Sequence, residues 1–140
     1  MTPKRILGID VGTKRIGLAQ SDPTFTFASP IGTFSEGEIL AKLTEMQSFT
    51  QQIVVGWPLS MRGQEGAATQ MVEKFVTKLH QKFPEIPVET LDERFTSTMA
   101  NQVIRESVPS KKKRQQKGLV DTIAAAILLQ SFLDRRQRLY

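Results

Sequence analysis

The segment RILGIDVGTKRIGLA, positions 5–19, constrains the fold more than any other. RILGIDVG is apolar and β-branched, ends at Gly12, and reads as a buried strand. Only Gly12, Thr13 and Lys14 separate it from a second apolar run at 15–22, and a third follows at 24–34. Such short breaks leave no room for a crossover and favour an antiparallel three-strand meander. The first strand nevertheless carries an acid, Asp10. Alternation puts Asp10 on one face with Gly8 and Gly12, and Leu7, Ile9 and Val11 on the other. The glycines leave space around the carboxylate for a ligand or for another backbone. A charged carboxylate buried without a counter-charge is too costly to keep. Pairing with Lys14 or Arg15 is the simplest structural reason for it.

After the meander the pattern changes period. SEGEILAKLTEMQSF (35–49) begins a helix, with Ser35 and Glu38 spaced as a capping box and an apolar stripe of Ile39, Leu40, Leu43 and Met46. QIVVGWP (52–58) is a strand, and EGAATQMVEKFVTKLHQKF (65–83) is a helix. IPVETL (86–91) is the next strand, TSTMANQVIRES (96–107) is helix-like, and 108–118 is a basic loop. LVDTIAAAILLQSFLDRR (119–136) closes the pattern as a helix. The order βββ-α-β-α-β-α-α predicts an α/β fold. It is a five-stranded mixed sheet, the antiparallel meander plus two parallel strands, with helices on both faces.

A chain of 140 residues suits a single domain over 1–140 with one ordinary core. It has no cysteine, which excludes disulfides and thiolate metal sites. No signal-like or membrane-spanning apolar run is present, so a cytoplasmic protein without membrane attachment is expected. The net charge of +5 is unevenly placed. Positions 1–93 hold 9 basic and 11 acidic residues, net −2, whereas 94–140 hold 10 basic and 3 acidic, net +7. KKKRQQK (111–117) and DRRQR (134–138) carry most of that excess, which suits a polyanion such as nucleic acid or, more plainly, a solvated loop and tail.

Two further acid positions fall where a site could form. Asp92 and Glu93 lie at the carboxyl end of the strand VETL, where ligand sites gather in open α/β sheets. Either could instead cap the following helix beside Arg94. Asp121 is in the first turn of the last helix, on a stripe with Ala124, Ala125 and Leu128. Two alanines there would let the helix approach the sheet closely. Three carboxylates converging from distant segments repel one another, and divalent cations resolve that repulsion. Oxygen ligands without cysteine, and with the one histidine, His80, expected to face solvent in mid-helix, point to Mg²⁺ or Mn²⁺ rather than zinc. Two ions about 3.5–4 Å apart would activate water and stabilise the leaving oxygen of a phosphodiester.

GIDVGTKRIGLA, VVGWPLSMRG, LDERFTS and KGLVDTIAAAILLQSFL together resemble the YqgF (RuvX-like) family. Its members are ribonuclease H-like domains described as Holliday junction resolvases or pre-16S rRNA nucleases. The resemblance runs over nearly the whole chain. It implies a ribonuclease H-like fold and a catalytic, metal-binding set of Asp10, Glu93 and Asp121, with Glu93 rather than Asp92 chosen by analogy. The implied activity is phosphodiester hydrolysis, in 5′-end processing of pre-16S rRNA or, alternatively, on branched DNA. Where the family often reads GLPL, this chain has Gly56-Trp57-Pro58-Leu59-Ser60, so Trp57 either stacks a base or packs a helix.

Two rival classes share some of these features. GIDVGTKRIG also looks like the first phosphate loop of the actin, Hsp70 and sugar-kinase group, but the chain is long enough for only one of their two lobes. A noncatalytic nucleic-acid-binding domain would not need all three acids. Lys14, Arg15, Arg94, Lys111, Lys112, Lys113, Arg114 and Lys117 are the expected phosphate contacts. Lys14 would hold the scissile phosphate or offset the acids' repulsion. The partner is structured RNA, such as an rRNA precursor, or branched DNA, and the state is monomer or homodimer. Cutting two symmetric strands would require the dimer.

Overall fold

The computed structural model describes residues 3–12, 14–57, 66–92 and 119–139, with the backbone alone at 67, 119–121, 138 and 139. Five strands form one sheet in the order β3-β2-β1-β4-β5. They are β1 (Arg5–Val11), β2 (Ile16–Ser21), β3 (Ala28–Phe34), β4 (Thr50–Trp57) and β5 (Val88–Asp92). β1, β2 and β3 pair antiparallel, as the short breaks predicted. β4 and β5 run parallel to β1, as crossover connections require. The helices are α1 (Glu36–Met46), α2 (Ala67–Lys82) and α3 (Leu119–Leu139). The expected helix at 96–107 and basic loop at 108–118 lie outside the described residues.

Side-chain alternation divides the interior into two layers. Leu7, Ile9 and Val11 of β1 and Ile53 and Val55 of β4 pack with Ile39, Leu43 and Met46 of α1 and Val72, Phe75 and Leu79 of α2. On the other face, Ile6, Ala19 and Val54 pack with Ala125, Leu129 and Leu133 of α3. Helices thus cover both faces, which a central strand buried on both sides demands. α1 starts as its sequence predicts. The Ser35 Oγ accepts from the Glu38 N–H at 3.3 Å, and Glu38 Oε1 accepts from the Ser35 N–H at 2.9 Å. That reciprocal bonding holds the Glu38 carboxyl below its usual range.

The β2–β3 connection runs longer than the sequence pattern suggested, with β3 beginning at Ala28 rather than at Thr24. The Asp22 carboxylate organises it. Thr24 donates its hydroxyl to Asp22, and the N–H groups of Phe27 and Thr26 donate at 2.8 and 2.7 Å. These bonds, the Thr24 hydroxyl first, lower the Asp22 pKa to about 2, so at neutral pH it remains a charged acceptor. Phe25 takes a positive φ of 58° inside this turn, and the Arg136 guanidinium lies 4.9 Å from its ring centroid. Gln130 of α3 ties the same turn to the helix, accepting from the Ala28 N–H and donating to the Thr26 carbonyl, each at 2.9 Å.

Ser21, fully buried at the end of β2, accepts from the Ile6 N–H at 2.8 Å and donates to the Asp22 carbonyl at 3.0 Å. Ser21→Ala leaves that buried donor unpaired and is expected to cost about 1–3 kcal/mol in chemical denaturation. A loss below about 0.5 kcal/mol would mean that another acceptor takes the Ile6 N–H.

Candidate active site at the carboxyl end of β1

Asp10 is the penultimate residue of β1, the central strand, and is only 6% exposed. Its face is that of α3, because Ile6 and Val54 on the same side pack against that helix. Small residues surround it. Gly8 precedes it on the same face, Gly17 pairs with it across β2, and Gly56 follows Val55, the β4 partner of Ile9. Only strand pairing brings Gly17 and Gly56 beside Asp10. The Gly8 space is filled by another backbone. A Cβ built on Gly8 would stand 2.7 Å from Leu129 Cβ and 3.1 Å from the Ala125 carbonyl oxygen. α3 therefore lies almost directly on β1, which the buried Ala124 and Ala125 permit.

The direction of α3 follows from its contacts. Gln130 reaches Thr26 and Ala28, which pairs with Ser21 at the amino-terminal level of β1, and Gly8 meets Ala125 and Leu129. The helix runs antiparallel to β1, so its amino terminus lies toward the Asp10 end. Position 121 is one helical turn before Ala125, on the stripe it shares with Leu129. The positive end of the α3 dipole is thereby directed to the acid-bearing end of the sheet.

The pairing of β5 fixes the face of Asp92. Trp57 pairs with Asp92, and Gly56 with Leu91. Leu91 packs on the α3 layer, whereas Trp57 packs on the α1/α2 layer. Asp92 therefore sits on the sheet face opposite Asp10. Glu93 and Arg94 lie outside the described residues, as do Lys111, Lys112, Lys113, Arg114 and Lys117. Trp57 is half-buried against the core layer on the α1/α2 face, which agrees with the packing alternative of its two sequence readings. His80 is exposed on α2.

Among the described residues, no three carboxylate or histidine side chains come together. Of the expected ligand set, Asp10 alone has a described side chain. Lys14 and Arg15 occupy the turn after β1, closed by the Gly12 N–H donating to the Arg15 carbonyl at 2.8 Å. Lys14 is exposed and Arg15 half-buried. Lys14 lines space on the α1/α2 side, with Val11, Ile16 and Phe75, not on the face of Asp10. Among the described residues no helix is long and apolar enough to cross a membrane.

A family model described as "RuvX: Holliday junction resolvase" matches residues 4–135. A protein of Chlorobium luteolum named "Putative pre-16S rRNA nuclease" is 44% identical over 140 residues, covering 98% of this chain and 99% of that one. A protein of Prosthecochloris aestuarii with the same name is 41% identical over 134 residues, 94% of each chain. Among solved structures, RuvC of T. thermophilus in complex with a Holliday junction substrate aligns with a TM-score of 0.55. It covers 95% of this chain and 96% of that one at 18% identity. At that identity the likeness speaks for the fold, which is ribonuclease H-like.

Proposed function

Because the chain belongs to the RuvX family, we propose that it is a metal-dependent nuclease acting in 5′-end processing of pre-16S rRNA. The observation that carries this reading is the carboxylate of Asp10. It is buried at the end of the central strand, among glycines, at the end of the sheet toward which α3 directs its amino terminus. The names of its relatives supply the substrate. The donor chemistry fits hard cations: the chain has no cysteine, and its one histidine is exposed on α2. Asp10, Glu93 and Asp121 would hold Mg²⁺ or Mn²⁺, two ions in the full site. When bound, such ions supply an activated water and charge stabilisation for the leaving oxygen of a phosphodiester.

The chain's own contribution is placement. Asp10 is fixed by a strand paired on both sides, so its carboxylate needs little reorganisation. Gly17 and Gly56, its neighbours on β2 and β4, place no side chain beside the carboxylate. With Asp92 on the opposite face, strand alternation favours Glu93 as the acid contributed after β5. Arg94, Lys111, Lys112, Lys113, Arg114 and Lys117 would hold substrate phosphates, which suits the +7 charge of positions 94–140. A cytoplasmic location follows from that substrate.

The alternative substrate is a four-way DNA junction, which the description of the family model favours. Resolution needs two symmetric cuts and therefore a dimer. Incubating the protein with a 5′-extended 16S precursor and with a four-way junction, while measuring its oligomeric state, separates the two. Cleavage of the precursor by a monomer supports the rRNA role. Symmetric junction cleavage by a dimer, with the precursor untouched, would replace it.

A further inference from the structure

A cleft of about 180 Å³ opens on the sheet face opposite Asp10, between the β1–β2 turn and α2. Its floor is apolar, built from Val11, Ile16, Met71 and Phe75. Its charged groups are Lys14 from the turn, Lys74 and Lys78 from α2, and Glu36 from the first turn of α1. Lys74 and Lys78 are four residues apart and so share one helix face. Lys78 is paired with Glu36. Among the described residues no acid pairs with Lys14 or Lys74. Three lysines against one glutamate leave the cleft with a net charge of +2. Cations gathered from two separate elements around one concavity repel one another, so the arrangement is most stable when an anion is present.

The cleft is also close to the candidate active site along the chain. Val11 forms part of its floor, and Asp10 is the preceding residue, one Cα step of about 3.8 Å away. A nucleic-acid strand with one phosphate at Asp10 can therefore pass over the carboxyl rim of β1 and bring a flanking phosphate to the lysines. We propose that this cleft, rimmed by Lys14, Lys74 and Lys78, binds a phosphodiester of the substrate strand flanking the one to be cut. Lys14 thus grips substrate away from the scissile bond. Glu36 competes with that phosphate for Lys78 and weakens the contact.

The inference rests on the nuclease reading, and its test keeps the two apart. RNA affinity is measured by anisotropy of a labelled single-stranded oligonucleotide across a salt series, in the Asp10→Asn background so that no RNA is cut. Lys74→Gln with Lys78→Gln is expected to lower the slope of log affinity against log salt by about 0.7, the loss of one single-strand phosphate contact. Lys42→Gln with Lys82→Gln removes the same charge outside the cleft and is expected to leave the slope nearly unchanged. Glu36→Gln is expected to tighten binding, an effect that damage to the fold does not produce. Equal slopes for the two double variants, or weaker binding by Glu36→Gln, would overturn the cleft while leaving cleavage by the wild type intact. A wild type that neither binds nor cleaves nucleic acid would instead remove the nuclease reading, and the cleft assignment with it.

Discussion

Asp10→Asn is expected to reduce cleavage by about 10²–10³-fold or more while leaving the fold intact, the scale seen when a group acting mainly on the transition state is lost. The asparagine has nearly the same shape, so the packing around it is not disturbed. The metal-free variant should therefore stay folded and keep a cooperative melting transition. The two proteins should differ in their response to magnesium. Metal that binds only the folded state stabilises it by mass action, and the wild type should gain more from saturating Mg²⁺ than the variant does. Single-turnover cleavage and melting curves with and without Mg²⁺ check both halves. Wild-type cleavage by Asp10→Asn would remove Asp10 from the chemistry. A variant that is unfolded without metal would show that Asp10 serves structure first.

Gly8→Ala is expected to destabilise the protein by about 1–3 kcal/mol, the usual cost of overpacking. Replacing a strand glycine by alanine ordinarily gains about 0.4–1 kcal/mol by restricting the unfolded chain. Here the added carbon would meet Leu129 Cβ at 2.7 Å and the Ala125 carbonyl oxygen at 3.1 Å. Neither is the free end of a flexible side chain, so relief requires α3 to lift from β1. The overpacking term wins. Because α3 also carries Asp121, a lifted helix should lose activity beyond what the stability loss explains at low temperature. Urea denaturation and cleavage rates measured well below the melting range separate these effects. Unchanged or increased stability would mean that α3 does not lie on β1 as described.

The meander, the parallel strands that follow it and the capped first helix were legible because each rests on local chemistry. Short breaks forbid crossovers, and Ser35 with Glu38 satisfies its own helix end. The glycine setting of Asp10 was only half legible. Gly8 and Gly12 follow from alternation within one strand. Gly17 depends on the length of the turn: with a three-residue break at 12–14, Asp10 would face Ile16. The closed turn from Gly12 to Arg15 shifts the pairing by one and puts glycine there instead. Likewise, alternation says that Asp92 and its neighbour face opposite ways, but only the pairing of Trp57 with Asp92 tells which face is that of α3. The lysine cleft was missed for the same reason. Nothing in the sequence marks Lys74 and Lys78, and only the tertiary structure sets Lys14 beside them.

The most direct test of the nuclease assignment is cleavage of a 5′-labelled 16S precursor by the wild-type protein in Mg²⁺, in Mn²⁺ and in excess chelator. A metal-dependent site built around Asp10 predicts discrete products with either cation and none with chelator, with activity returning when Mg²⁺ is restored. Undiminished cleavage in chelator, or no products with either cation from folded protein, would contradict it.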